Sequence, residues 1–133
     1  MKLPISIETV TTKELSHMQD LNCSGDPMKL GVVIYSNDPE TVLQAFRLSN
    51  FALKKGDDVK AFLLGKGVEC DSVDTEKFKV TDQIREFLDN GGRTFSCTSC
   101  LKLRSKDATE VCPLSTMADL YKIIAESDKV ITF

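Results

Sequence analysis

Leu30-Gly31-Val32-Val33-Ile34-Tyr35 is a continuous apolar run of strand length, followed by Ser36-Asn37-Asp38-Pro39-Glu40. A strand with one wet face alternates apolar and polar residues; an unbroken run reads as a strand covered on both faces. The turn after it places Asp38 to cap a helix and Pro39 at that helix's first position. Val42, Ala45, Phe46, Ser49 and Leu53 then share one helical face, and Leu43, Leu48 and Phe51 widen it beyond a simple stripe. A helix this apolar is expected to pack against more than one neighbour, which predicts an oligomer. Lys54-Lys55-Gly56-Asp57 supplies the cations and the glycine that close a helix.

The alternation continues outward from that unit. Val59-Lys60-Ala61-Phe62-Leu63-Leu64 is a second strand, with a sharp exit at Gly65-Lys66-Gly67. Phe78, Ile84, Phe87 and Leu88 mark a second helix that stops at Asn90-Gly91-Gly92. Thr94-Phe95-Ser96-Cys97 is a short third strand, and Leu101 and Leu103 predict a short helix in a basic stretch. Glu110-Val111-Cys112 reads as a fourth strand. Ser115 to Ser127 reads as a helix with Met117, Leu120, Tyr121 and Ile124 inward, and Lys129-Val130-Ile131-Thr132-Phe133 as the last strand. Right-handed crossovers then give a three-layer α/β fold, a mostly parallel five-stranded sheet with helices on both faces. Such sheets collect ligand and catalytic groups at the carboxyl ends of their strands. The loops Ser36 to Glu40, Gly65 to Cys70 and Cys97 to Arg104 fall there.

The 133 residues suit one domain with a substantial core. Residues 29–133 form that domain, and residues 1–28 read as an arm, with a capping box at Thr11 and Glu14 and a short helix through Leu15 and Met18. Packing or oligomer contact is the expected role of the arm, and a regulatory role for Cys23 or His17 is the alternative. Seventeen Lys and Arg against 20 Asp and Glu leave a net charge of −3. That balance argues against direct nucleic-acid binding and against an anionic membrane surface, both of which need concentrated positive charge. There is no apolar run of the roughly 18 residues needed to span a bilayer, and the N-terminus lacks the apolar stretch of a secretory signal. A soluble, cytoplasmic protein is expected.

In a reducing cytoplasm cysteines stay free. Of Cys23, Cys70, Cys97, Cys100 and Cys112, the isolated Cys23 and Cys70 read as small buried hydrophobes. Cys97-Thr98-Ser99-Cys100 sits at a strand end and is followed by Lys102, Arg104 and Lys106. A free thiol with a pKa of about 8.5 is little ionised at neutral pH, and nearby cations are expected to lower that value. One cysteine of such a pair can carry a mixed disulfide or persulfide while the other attacks it, which suits thiol exchange or sulfur transfer. Zinc held by Cys97, Cys100 and Cys112 with Cys70 or His17 is an alternative, without the second C-x-x-C that makes such sites specific. A binding module whose cysteines merely pack is another. No cofactor is indicated: a glycine-rich phosphate loop is missing, and Asp38 and Glu40 occupy the loop after the first strand. The single His17 lies in the arm, which disfavours a Cys-His hydrolase.

Taken in order, Lys29 to Ser36, Val59 to Val68, Thr94 to Arg104 and Ser127 to Phe133 resemble the DsrE/DsrF-like family of small sulfur-relay proteins. The resemblance implies trimers or hexamers and a third-strand cysteine that accepts sulfane sulfur as a persulfide and passes it from a donor protein to an acceptor protein. Cys97 is its positional counterpart, seven residues before Arg104, and Cys100 matches the second cysteine of members with a pair. Arg104-Ser105 stands where the family has Arg-Gly. The resemblance thus implies a sulfur carrier, sulfurtransferase-like in its chemistry, with Cys97 as acceptor, Cys100 as second thiol, and Lys102 and Arg104 as electrostatic support.

Overall fold

In the computed structural model, which describes residues 27–133, the first apolar run forms β1 (Lys29–Ile34). The expected arm helix, with Cys23 and His17, lies outside the described residues. Side chains of β1 alternate between two cores: Leu30, Val32 and Ile34 enter one, and Val33 enters the other. That two-sided burial is the physical reason for the unbroken apolar run.

Helix α1 (Pro39–Lys54) starts as its sequence predicts, with the Asp38 carboxylate accepting the Thr41 N–H at 2.9 Å. It buries Val42, Ala45, Phe46, Ser49, Asn50 and Ala52, while Leu48 and Phe51 remain exposed. Strand β2 (Asp58–Leu63) leads into a 3-10 segment, Gly65–Ser72. Helix α2 (Val80–Asp89) begins after Phe78 and packs its Phe87 ring edge-on against Phe46, with centroids 5.5 Å apart. Then come β3 (Arg93–Cys97), α3 (Thr98–Leu103), β4 (Leu114–Ser115), α4 (Met117–Glu126) and β5 (Lys129–Thr132).

The sheet has the order β4-β3-β2-β1-β5, and every neighbouring pair is parallel. Crossovers from β1 to β4 step in one direction and place α1 and α2 on one face. The return from β4 to β5 steps the other way, so right-handedness places α4 on the opposite face. The α/β class, the five strands and the helices on both faces agree with the sequence reading.

Two elements differ from it. The fourth strand is Leu114–Ser115, not Glu110 to Cys112. Pairing starts instead at Pro113, whose carbonyl accepts the Ser96 N–H at 3.0 Å, and Cys112 turns inward to complete burial. Helix α4 is also rotated from its expected setting. Leu120 and Ile123 are buried, whereas Met117, Tyr121 and Ile124 are 59%, 75% and 47% exposed. Gly31 accounts for the rotation, because a Cβ there would stand 3.2 Å from Ile123 Cγ2 and 2.8 Å from Ser127 Oγ. The helix therefore settles Ile123 and Ser127 onto the bare backbone of β1. Among the described residues, no helix is long and apolar enough to cross a membrane.

Candidate functional site

Strand β3 ends with two residues that face opposite ways. Ser96 points toward the α1/α2 side, and Cys97 lies 5% exposed in the core made by Val33, Phe62, Leu120 and Ile123. Cys97 caps α3 with extended backbone, and the Thr98 hydroxyl donates to the Ser115 carbonyl at 2.8 Å, tying the start of α3 to the end of β4. One helical turn returns Cys100 to the neighbourhood of Cys97, close enough for the Cys97 thiol to raise the pKa of Cys100. Cys100 is half-buried, and its Sγ accepts the Gly65 N–H at 3.2 Å.

The 3-10 segment makes that contact because it lies tightly across the end of β1. A Cβ on Gly67 would sit 1.9 Å from the Ile34 carbonyl oxygen, so only glycine lets the backbone approach this closely. The same segment carries Glu69, which accepts Arg104 Nε–H at 2.6 Å and Asn37 Nδ2–H at 3.3 Å. Arg104 Nη1 donates in turn to the Cys100 carbonyl at 3.1 Å. All three loops expected at the carboxyl ends of the strands therefore meet. Asn37, Gly65 and Glu69 escaped the sequence reading as individual residues. Their loops carried the signal, but their partners lie more than thirty positions away.

The electrostatics correct one expectation. The sequence leads one to expect flanking cations to lower the thiol pKa, yet Cys100 is raised, first by burial and then by the neighbouring Cys97 thiol. The Gly65 N–H and the Arg104 charge pull in the other direction and do not prevail. The reason lies in how the cations are occupied. Arg104 is paired with Glu69, whose carboxyl is held below its ordinary value by Arg104 and Asn37. Lys106 is paired with Asp71 at 2.7 Å and with the Val68 carbonyl at 2.9 Å. Lys102 is exposed on α3.

Cys112 joins Cys70, not Cys97. Both belong to the core on the α1/α2 side, across the sheet from Cys97. The four-cysteine zinc arrangement is therefore not assembled, and among the described residues no three His, Cys, Asp or Glu side chains group as metal ligands.

A family model described as the DsrE/DsrF-like family matches residues 28–133. The chain is 34% identical over 101 residues to the uncharacterized protein MJ0989 of Methanocaldococcus jannaschii, covering 71% of this chain and 88% of that one. It is 31% identical over 110 residues to the uncharacterized protein MK0008 of Methanopyrus kandleri, covering 76% and 91%. Among solved structures, the ychN protein from E. coli superposes with a TM-score of 0.69 at 18% identity, over 80% of this chain and 100% of that one. That last likeness concerns the fold.

Proposed function

The chain belongs to the DsrE/DsrF-like family, and on that premise we propose that it is a cytoplasmic sulfur carrier that takes sulfane sulfur on Cys97 and hands it to an acceptor protein. The observation that carries this reading is the neighbouring pair Cys97 and Cys100 at the carboxyl end of β3, with the Gly65 N–H on the Cys100 sulfur.

In the first step the Cys97 thiolate attacks the outer sulfur of a donor persulfide. A new S–S bond forms at Cys97, the donor's S–S bond breaks, and the departing donor thiolate takes up a proton. Nothing is oxidised or reduced overall. Delivery repeats the exchange, with the acceptor as nucleophile. Cys100 has a competing option: attack on the inner sulfur would give a Cys97–Cys100 disulfide and expel hydrosulfide. That attack needs the Cys100 thiolate, which burial disfavours. The raised pKa thus protects a persulfide at Cys97 from premature release while leaving a second thiol within reach. Arg104 holds the turn through the Cys100 carbonyl, and exposed Lys102 offers a cation at the rim to an incoming partner.

Assembly is part of the proposal. Met117, Tyr121 and Ile124 form an exposed apolar stripe beside the buried one on α4, and Leu48 and Phe51 are exposed on α1. Surfaces of this kind are suited to a second copy of the chain.

Intact mass after incubation with a persulfide donor tests the carrier reading. Wild type is expected to gain one sulfur atom, a Cys100→Ser variant to retain it, and a Cys97→Ser, Cys100→Ser variant to lose it. No gain in wild type, or an undiminished gain in the double variant, overturns the reading in favour of a binding module.

A further inference from the structure

Cys70 and Cys112 make a second thiol pair, on the side of the sheet away from Cys97. Each is fully buried, and the two thiols lie close enough to shift each other's ionisation in opposite directions. A cysteine that only fills space sits among apolar atoms, whereas polar groups crowd this pair. Cys112 Sγ lies 3.6 Å from the Val68 carbonyl and 3.9 Å from the Asp71 carboxylate. The buried Ser96 hydroxyl beside it has no oxygen or nitrogen partner of its own. Lys106 bonds both Val68 and Asp71, the same two residues that Cys112 Sγ approaches, so a cation is held beside this pair as well.

We propose that Cys70 and Cys112 are a second redox site, a dithiol that a small hydroperoxide oxidises to an internal disulfide linking the 3-10 segment to the loop before β4.

Cys112 is the attacking thiol. The neighbouring Cys70 thiol favours the ionised form of Cys112, while the same contact and burial push Cys70 up. The Cys112 thiolate attacks one peroxide oxygen and the O–O bond breaks. The leaving hydroxide takes up a proton as water, and Cys112 becomes a sulfenic acid. Cys70 then attacks that sulfur and loses its proton. The S–S bond forms, the S–O bond breaks, and a second water leaves. Two thiols and one hydrogen peroxide thus give one disulfide and two waters, with both electrons passing to the peroxide. Access is through a thin cover. The Lys106–Asp71 pair is partly exposed, and residues 106–112 include no helix or strand, so local opening there needs little unfolding. The bond would tether the segment that supplies Gly65 to Cys100 and Glu69 to Arg104, coupling peroxide exposure to the stiffness of the first site.

The test does not depend on sulfur transfer. Reduced protein is treated with one equivalent of hydrogen peroxide, alkylated, and digested without reductant for peptide mass spectrometry. The expected product is a Cys70–Cys112 linked peptide, lighter by two hydrogens and reversed by dithiothreitol, in wild type and in the Cys97→Ser, Cys100→Ser variant alike. In a Cys70→Ala variant, dimedone should trap Cys112 as the sulfenic acid. Full alkylation of Cys70 and Cys112 after the peroxide step, or a sulfinic acid at Cys112 without a linked peptide, overturns the proposal. The wild-type map alone decides it, should the variants fail to fold.

Discussion

Arg104 donates its Nε–H to Glu69 at 2.6 Å, across the gap between two loops that follow different strands. The ion pair is partly shielded, with side chains 26% and 33% exposed. Its consequence for the thiols is that a cation close in sequence to Cys100 is already compensated by an anion distant in sequence.

Removing that compensation should change Cys100. A Glu69→Gln variant leaves the Arg104 charge unopposed and should lower the Cys100 pKa, which raises its alkylation rate at neutral pH, by roughly a few-fold. Arg104→Ala should shift the rate in the opposite direction. Site-resolved alkylation against pH measures both, and slower reaction of Cys100 in Glu69→Gln would contradict the assignment.

Acid should weaken the fold through particular carboxylates. Asp38 is held below its ordinary value by the Thr41 amide, Glu69 by Arg104, and Asp119 by the Ser115 hydroxyl. A folded-state pKa below the unfolded one means stability that is present above the unfolded value and lost as pH falls through the folded one. Stability should therefore be level near neutrality and decline below about pH 4. Denaturation midpoints against pH check this, and a Glu69→Gln variant should show a shallower decline. An equal slope would remove Glu69 from the account.

Gly67→Ala should be severe. The added Cβ meets the Ile34 carbonyl at 1.9 Å, and backbone cannot move aside as a flexible side chain can. A loss of about 3 kcal/mol, the upper end of what overpacking ordinarily costs, is expected. A thermal midpoint near that of wild type would show that the 3-10 segment does not lie against β1 as described.

The exposed stripe on α4 should govern assembly. Light scattering at micromolar concentration is expected to find an oligomer in wild type and a smaller species in a Tyr121→Lys, Ile124→Glu variant. Both side chains are exposed, so the fold should tolerate the change. A monomeric wild type would end the assembly proposal.

Much of the architecture was legible because it rests on short-range pattern. The apolar run at Leu30, the Asp38–Pro39 helix start and the glycine stop at Gly56 each act within a few residues, and the structure retains all three. The fourth strand was misplaced because Val111 and Cys112 are as apolar as a strand, yet they turn into a core that periodicity does not locate. The α4 face was misread for a related reason. Two apolar stripes lie side by side on that helix, and the choice between them is made by Gly31, on a strand far earlier in the chain.

The cysteines divide along the same line. That Cys97 and Cys100 stand together at a strand end follows from three residues of spacing and one helical turn, a local matter that the chain alone carries. Tertiary structure settled the rest: that Glu69 compensates Arg104, that Cys100 is buried enough for its proton to be held, and that Cys70 lies against Cys112 on the other side of the sheet. Charge compensation, desolvation and thiol contact all depend on distances between residues remote in sequence, and those distances exist only once the crossovers have stacked the strands.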